Sequence, residues 1–159
     1  INGAHADVAF VPIRYVNQGF PRDELAGFYR AAAIGLVTPL RDGMNLVAKE
    51  YIAAQDPEDP GVLILSQFAG AAHQLKDALL VNPHSIEHVS ETIKQALEMP
   101  LAERKRRHAS LLASVREQDV LRWREEFVRT LAGTADTPSV APSLTMESAA
   151  ETVDQAGPA

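Results

Sequence analysis

The sequence predicts an α/β fold in which a mostly parallel sheet is flanked by helices. Residues 62–65 form a continuous apolar run with the length of a parallel strand that is covered on both faces. Two further short apolar runs, residues 34–37 and 78–81, are separated from it by segments with helical patterns. Strands that alternate with helices are typical of βαβ units, whose strands run parallel.

The first elements are predicted from residue type and from proline. Residues 8–16 are rich in β-branched and aromatic side chains, which favour a strand. Pro12 lies within this run and lacks the N–H that a central strand donates, so we expect an edge position or a bulge. Pro21, with two acids just after it, indicates the start of a helix over residues 22–32, because acids suit the positive end of the helix dipole.

The strand at residues 34–37 leads into a polar turn with glycine and then into a helix predicted over residues 44–55. The free N–H groups of a helix's first turn, with the macrodipole behind them, favour an anion at that place. One acid, Asp42, precedes this helix, and another, Glu50, lies on it. The residues therefore predict a site for a sugar nucleotide, with diphosphate on the amides and hydroxyl groups on the acids.

The second half of the chain continues the pattern. Residues 66–72 form a small-residue loop after the strand at 62–65. Because ligands of parallel sheets bind beyond the carboxyl ends of the strands, this loop and residues 41–50 should share one crevice. Three helices are predicted to follow, over residues 86–97, 101–116 and 120–131. Residues 133–159 are rich in Ala, Ser, Thr and Pro and predict a disordered acidic tail.

Bulk composition narrows the class of protein. The 159 residues suffice for one domain with a real core, and 46% of them are apolar. A net charge of −6 argues against nucleic-acid binding, and the lack of cysteine argues against disulfides and thiolate metal sites. We expect no membrane span and no signal peptide, which favours the cytoplasm. The chain opens Ile1-Asn2-Gly3 without methionine, and we expect it to be a piece of a longer protein.

Two segments carry a family resemblance. Residues 38–51 (TPLRDGMNLVAKEY) and residues 61–72 (GVLILSQFAGAA) closely resemble the trehalose-6-phosphate synthases, and weaker likeness extends over residues 1–131. That family comprises retaining glucosyltransferases with two Rossmann-like domains, the GT-B arrangement. They transfer glucose from UDP-glucose to glucose 6-phosphate, which yields trehalose 6-phosphate and UDP.

The resemblance implies that residues 1–132 are the C-terminal, donor-binding domain, and that the N-terminal domain with the acceptor site is missing. It also implies that Asp42 holds hydroxyl groups of the donor glucose and is the catalytic candidate. Backbone N–H groups around Met44 to Val47 would meet the sugar and diphosphate, Glu50 the ribose, and Phe20 the uracil. The complete substrate-binding set is Phe20, Arg41, Asp42, Gly43, Met44, Asn45, Leu46, Val47, Ala48, Lys49 and Glu50.

The spacing of the helix residues agrees with this implication. Leu46 and Glu50 are four positions apart, hence on one helix face and roughly 6 Å apart along the axis. Gly43 would serve either the turn or close approach by a sugar. Lys49 is interpreted as a solvated helix residue that could reach a phosphate. No metal is expected, because the sequence has no Asp-x-Asp motif of the kind that many metal-dependent glycosyltransferases use to hold Mn²⁺ or Mg²⁺.

Other chemistry-bearing residues have plainer interpretations. His84 and His88 are four positions apart but lack an evident third metal ligand. The basic run at residues 103–108 is interpreted as a solvated helix face. Val120, Trp123, Phe127 and Leu131 form an apolar stripe, which indicates core packing or a docking surface for the absent domain.

The resemblance implies little activity for this chain alone, since the Arg and Lys that the family places on the donor diphosphate precede this segment. Two alternatives remain open: a non-catalytic sugar-nucleotide-binding or regulatory protein, and a retaining transferase with another acceptor. A homo-oligomer is also left open by the sequence.

Overall fold

The computed structural model describes residues 1–135, without the side chains of the last two. These residues fall into two units, one of Ile1–Arg122 and one that begins at Trp123. Helix α6 reaches Ala135, so the predicted tail begins too early at residue 133. The rest of that predicted tail lies outside the described residues.

The sheet has three strands in the order β1-β2-β3, and they run parallel, as the sequence predicts. Its strands are β1 (Ile34–Val37), β2 (Val62–Ser66) and β3 (Leu79–Val81). The helices are α1 (Asn2–His5), α2 (Arg22–Ala31), α3 (Leu46–Ala54), α4 (Ile86–Leu97), α5 (Leu101–Glu117) and α6 (Val120–Ala135). A short 3-10 helix, Gly70–His73, lies between β2 and β3. The α/β prediction is confirmed.

The central strand β2 is buried along its whole length, which confirms that helices cover both of its faces. Leu63 and Leu65 belong to a core cluster with residues of α3 and α5. Val62 and Ile64 belong to a second cluster with residues of β3 and α4. Successive side chains of a strand point to opposite faces, so this division follows directly from the run of apolar residues.

The predicted strand at residues 8–16 is wrong. This segment has no strand partner, and Tyr15 within it is 84% exposed. The side-chain amide of Asn2 instead pairs with Ile13, donating to its carbonyl at 2.8 Å and accepting from its N–H at 2.9 Å. Residue type alone favours an extended chain here, but a strand also needs a neighbouring strand to bond, and Pro12 removes one donor.

The basic run on α5 is a set of ion pairs with acids. Arg104 lies 2.7 Å from Asp59, and Lys105 lies 2.7 Å from Glu58, so these pairs join α5 to the turn that precedes β2. Arg106 and Arg107 pair with the acid of their own helix, Glu103. The run therefore stabilises the packing of α5 and presents little unbalanced positive charge.

The described residues contain no helix that is both long and apolar enough to cross a membrane.

Candidate functional site

The two segments predicted to share one crevice lie against each other at the carboxyl ends of β1 and β2. The N–H of Asp42 donates to the Phe68 carbonyl at 3.3 Å, and Gly70 N–H donates to the Asp42 carbonyl at 3.0 Å. Ala71 N–H donates to the Met44 carbonyl at 2.7 Å. We call residues 41–45 the donor loop and residues 67–72 the supporting loop. These backbone bonds fix the donor loop in position.

Gly70 is required by this contact. A Cβ at position 70 would collide with the carbonyl group of Gly43, a backbone atom that cannot move aside cheaply. From its residue types, the small-residue loop could either line the site or serve close packing. The structure shows the close packing, because the glycine lets the supporting loop pack directly on the backbone of the donor loop.

The carboxylate of Asp42 is held by the donor loop itself. Its Oδ1 accepts from the N–H of Met44 at 3.1 Å, and its Oδ2 accepts from Nδ2 of Asn45 at 3.0 Å. Asp42 is half-buried. Each carboxylate oxygen has two acceptor positions, so both oxygens keep capacity for a ligand hydroxyl after these two bonds.

Asn45 makes the sharp turn from the donor loop into α3. Its φ of 74° and ψ of 88° are left-handed, and it is the one non-glycine residue with positive φ among the described residues. Asparagine tolerates this conformation better than most residues. Its Oδ1 accepts from Ala48 N–H at 3.0 Å, so the same side chain caps the helix and holds Asp42.

This cap moves the helix start from the predicted residue 44 to Leu46. It also changes which amides can meet a ligand. The N–H groups of Met44 and Ala48 donate to Asp42 and Asn45, respectively. Within the described part of the chain, the N–H groups of Asn45, Leu46 and Val47 have no protein acceptor. Leu46 and Val47 are 64% and 45% exposed, so the mouth of the helix is open.

Gly43 lacks the backbone conformation for which a turn would need glycine. Its φ is not in the positive range, so the turn does not require glycine here. An added Cβ would meet no atom within 4 Å, so open space lies beside the backbone. Of the two roles weighed from the sequence, this geometry favours close approach by a ligand.

The two charged helix residues have different surroundings. Glu50 is exposed, and its Oε2 lies 3.4 Å from the hydroxyl group of Tyr29 on α2. Lys49 is half-buried, and this burial lowers the pKa of its ammonium group. Tyr29 could not be predicted from the sequence, because it is 21 positions from Glu50 and no local pattern links them.

Two residues of the predicted set, Phe20 and Arg41, have other surroundings. The ring of Phe20 packs edge-on against Phe28 of α2, with ring centroids 4.9 Å apart. The side chain of Arg41 is exposed. Neither residue takes part in the bonds that join Asp42, Asn45 and the start of α3.

The histidine pair has structural partners. His88 Nδ1 accepts from the N–H of Asn82 at 3.4 Å, and the ring of His84 lies beside Phe68 with centroids 6.0 Å apart. Ser85 caps α4, which confirms the helix start expected there. Among the described residues, no group of three His, Cys, Asp or Glu side chains is arranged to hold a metal ion.

Known proteins resemble this chain over most of the residues that the structure describes. A model of the family described as Glycosyltransferase family 20 matches residues 1–133. A trehalose-6-phosphate synthase from Enterobacter sp. (strain 638) is 55% identical over 134 residues, which cover 84% of this chain and 28% of that protein. The chain thus spans less than a third of this relative's length.

Two solved structures are similar to this chain in both fold and sequence. An α,α-trehalose-phosphate synthase (UDP-forming) from Burkholderia xenovorans, in complex with glucose-6-phosphate, has a TM-score of 0.79 and 53% identity, covering 83% of this chain and 29% of its own. An E. coli structure bound with UDP-2-fluoro glucose has a TM-score of 0.78 and 52% identity, covering 82% of this chain and 29% of its own.

Proposed function

Because this chain belongs to glycosyltransferase family 20, we propose that it is the donor-binding half of a trehalose-6-phosphate synthase. The donor is UDP-glucose and the acceptor is glucose 6-phosphate, with trehalose 6-phosphate and UDP as products. We assign residues 1–132 to the donor domain and the acceptor site to a part of the protein outside this chain. The observation that carries the proposal is the row of free amides at the start of α3, flanked by two acids.

The diphosphate is assigned to the N–H groups of Asn45, Leu46 and Val47. These amides lack protein acceptors within the described residues, and the dipole of α3 adds positive potential at the same place. The half-buried position of Lys49 in this first turn brings a cation near the same anion. This arrangement supports a phosphate site that needs no rearrangement of the loop.

The sugar hydroxyl groups are assigned to the two acids. Asp42 lies before the helix with its carboxylate already oriented by Met44 and Asn45, which suits the donor glucose. Glu50 lies one helix turn beyond the amides, roughly 6 Å along the axis, which suits the ribose. The open space beside Gly43 gives the sugar room to approach the backbone.

In the transfer step, the bond between glucose C1 and the diphosphate oxygen breaks, and its electron pair leaves with UDP. A new bond forms from C1 to an acceptor hydroxyl, whose proton passes to the departing diphosphate oxygen. Negative charge grows on the diphosphate, and donors already aimed at it lower the barrier. We expect this chain alone to catalyse little transfer, since its amides are only part of the stabilisation.

The other expected properties are also proposals. The net charge of −6 and the paired cations of α5 support a protein that does not bind nucleic acid. A cytoplasmic location remains a prediction from the sequence, and a homo-oligomer remains open.

Calorimetric titration of UDP and UDP-glucose into the purified chain tests the proposal. We expect saturable binding of both ligands, weakened strongly by Glu50→Ala and unchanged by Glu91→Ala, which removes an exposed acid from α4. A folded chain that binds neither ligand would contradict the assignment. Binding of both by a full-length protein that never forms trehalose 6-phosphate would favour the non-catalytic alternative.

A further inference from the structure

Tyr29 and Glu50 lie on different helices and meet through their side-chain oxygens. The Tyr29 hydroxyl, on α2, donates to Oε2 of Glu50, on α3, across 3.4 Å. We propose that Tyr29 is a positioning residue that orients the Glu50 carboxylate for the ribose of the donor nucleotide. This inference rests on the proposed function, which assigns the ribose to Glu50.

Tyr29 is suited to this role because the structure holds it on both sides. Its ring packs edge-on against Tyr51 of α3, with centroids 6.5 Å apart. Its backbone carbonyl accepts from the side chain of Gln55. The next residue, Arg30, lies 2.7 Å from Asp56 just beyond the end of α3. The phenol is therefore a fixed point from which a hydrogen bond can be aimed.

Glu50 needs such a fixed point. It is exposed on the helix surface, where a glutamate samples several rotamers, and ordering it when a ligand arrives costs conformational entropy. A bond to Oε2 selects one of these rotamers before the ligand binds. It leaves Oε1 and the second lone pair of Oε2 for the ribose hydroxyl groups.

The protonation state of Tyr29 supports its role as the donor. Burial, together with the neighbouring charge of Glu50, raises the pKa of the Tyr29 hydroxyl above its usual value. The phenol therefore stays protonated at neutral pH and can donate its hydrogen to the carboxylate.

If Tyr29 orients Glu50, removing the Tyr29 hydroxyl group should weaken binding only of a nucleotide that carries ribose hydroxyl groups. Tyr29→Phe keeps the ring and its contact with Tyr51 but loses the bond to Glu50. We expect UDP binding to weaken roughly three- to tenfold, the range for ordering one flexible side chain. Binding of 2′,3′-dideoxy-UDP, which has no ribose hydroxyl groups, should stay the same.

The experiment is a calorimetric titration of both nucleotides into wild type, Tyr29→Phe, Glu50→Ala and the double variant. Tyr51→Phe is the matched control, since it also removes one tyrosine hydroxyl, but one that donates to the Ala32 carbonyl at 3.0 Å. We expect Tyr51→Phe to leave the preference for UDP over dideoxy-UDP unchanged. In the Glu50→Ala background, Tyr29→Phe should add no further loss.

Four results would overturn the inference, and they point to different causes. Equal weakening of both nucleotides by Tyr29→Phe would make Tyr29 a structural residue only, as would an unchanged affinity for UDP. A further loss in the double variant would mean that Tyr29 does not act through Glu50. Absence of UDP binding by the folded wild-type chain would remove the inference together with the proposed function.

Discussion

The side-chain amide of Asn45 joins the donor loop to helix α3, because its Nδ2 lies 3.0 Å from Oδ2 of Asp42 while its Oδ1 accepts from Ala48 N–H. One side chain thus orients the acid and caps the helix. It does so from a left-handed backbone conformation, which would be strained for most residues. The open helix mouth and the oriented carboxylate therefore depend on the same residue.

Replacement of Asn45 separates its conformational and side-chain contributions. Asn45→Ala should lower the free energy of unfolding by about 2 kcal/mol, from the lost cap and from left-handed strain. Asn45→Gly loses the same bonds without the strain, so its loss should be smaller by about 1 kcal/mol. Urea unfolding followed by circular dichroism measures both. Equal losses would mean that the backbone conformation carries no strain.

Gly70→Ala should disrupt the packing of the supporting loop on the donor loop. The new Cβ would collide with the Gly43 carbonyl, so one of the two backbones must shift. We expect a loss of about 1–3 kcal/mol in the free energy of unfolding, the usual cost of overpacking. Thermal and urea unfolding test this. An unchanged stability would show that the two loops separate without cost.

Gly43→Ala, unlike Gly70→Ala, should leave stability almost unchanged but weaken ligand binding. Its Cβ would enter open space and its φ is not positive, so stability should change by less than about 0.5 kcal/mol. Under the proposed function, the added methyl group occupies space that the donor sugar needs. Titration should therefore show weaker binding of UDP-glucose and little change for UDP. Equal affinities of wild type and variant for UDP-glucose would contradict close approach at Gly43.

The ion pairs of Glu103 predict a dependence of stability on pH. Hydrogen bonds and charge from Arg106 and Arg107 lower the pKa of Glu103 from 4.5 to about 2. Because the folded pKa lies below the unfolded one, the stabilising contribution is present above pH 4.5 and is lost as the pH falls toward 2. The melting temperature of Glu103→Gln should therefore be below that of wild type at pH 6 and approach it in acid.

The size of this effect should be small, because exposed ion pairs are screened by water and salt. Glu91→Gln, on the exposed face of α4, is the control and should show a constant offset from wild type over the same pH range. A difference between Glu103→Gln and wild type that does not change with pH would contradict the ion-pair explanation.

Part of the fold and of the candidate site could be predicted because the signals are local. The apolar run of β2, the cap at Ser85 and the polar turn before α3 each depend on neighbouring residues, and each is found in the structure. The strand prediction at residues 8–16 is wrong because strand formation does not depend on neighbouring residues alone. A β-branched segment becomes a strand only beside another strand, and the segment by itself does not specify one.

The candidate site also has some features that the sequence predicts and others that only the structure shows. Its position at the carboxyl ends of β1 and β2 could be inferred from the order of the elements. The choice of Asn45 rather than Gly43 for the positive φ could not, because both residue types tolerate that conformation. The sequence also could not predict that the N–H of Met44 donates to Asp42, since this bond depends on the orientation of the Asp42 carboxylate.

By itself, then, the sequence determined the alternation of strands and helices, the buried central strand, and the loop and helix that carry the two acids, because periodicity and residue type act over a few positions. Only the tertiary structure decided that Gly70 packs on the Gly43 carbonyl and that Tyr29 meets Glu50. Those contacts join segments distant in the chain. Their geometry is set by how α2 and the supporting loop pack around the sheet, which no local pattern encodes.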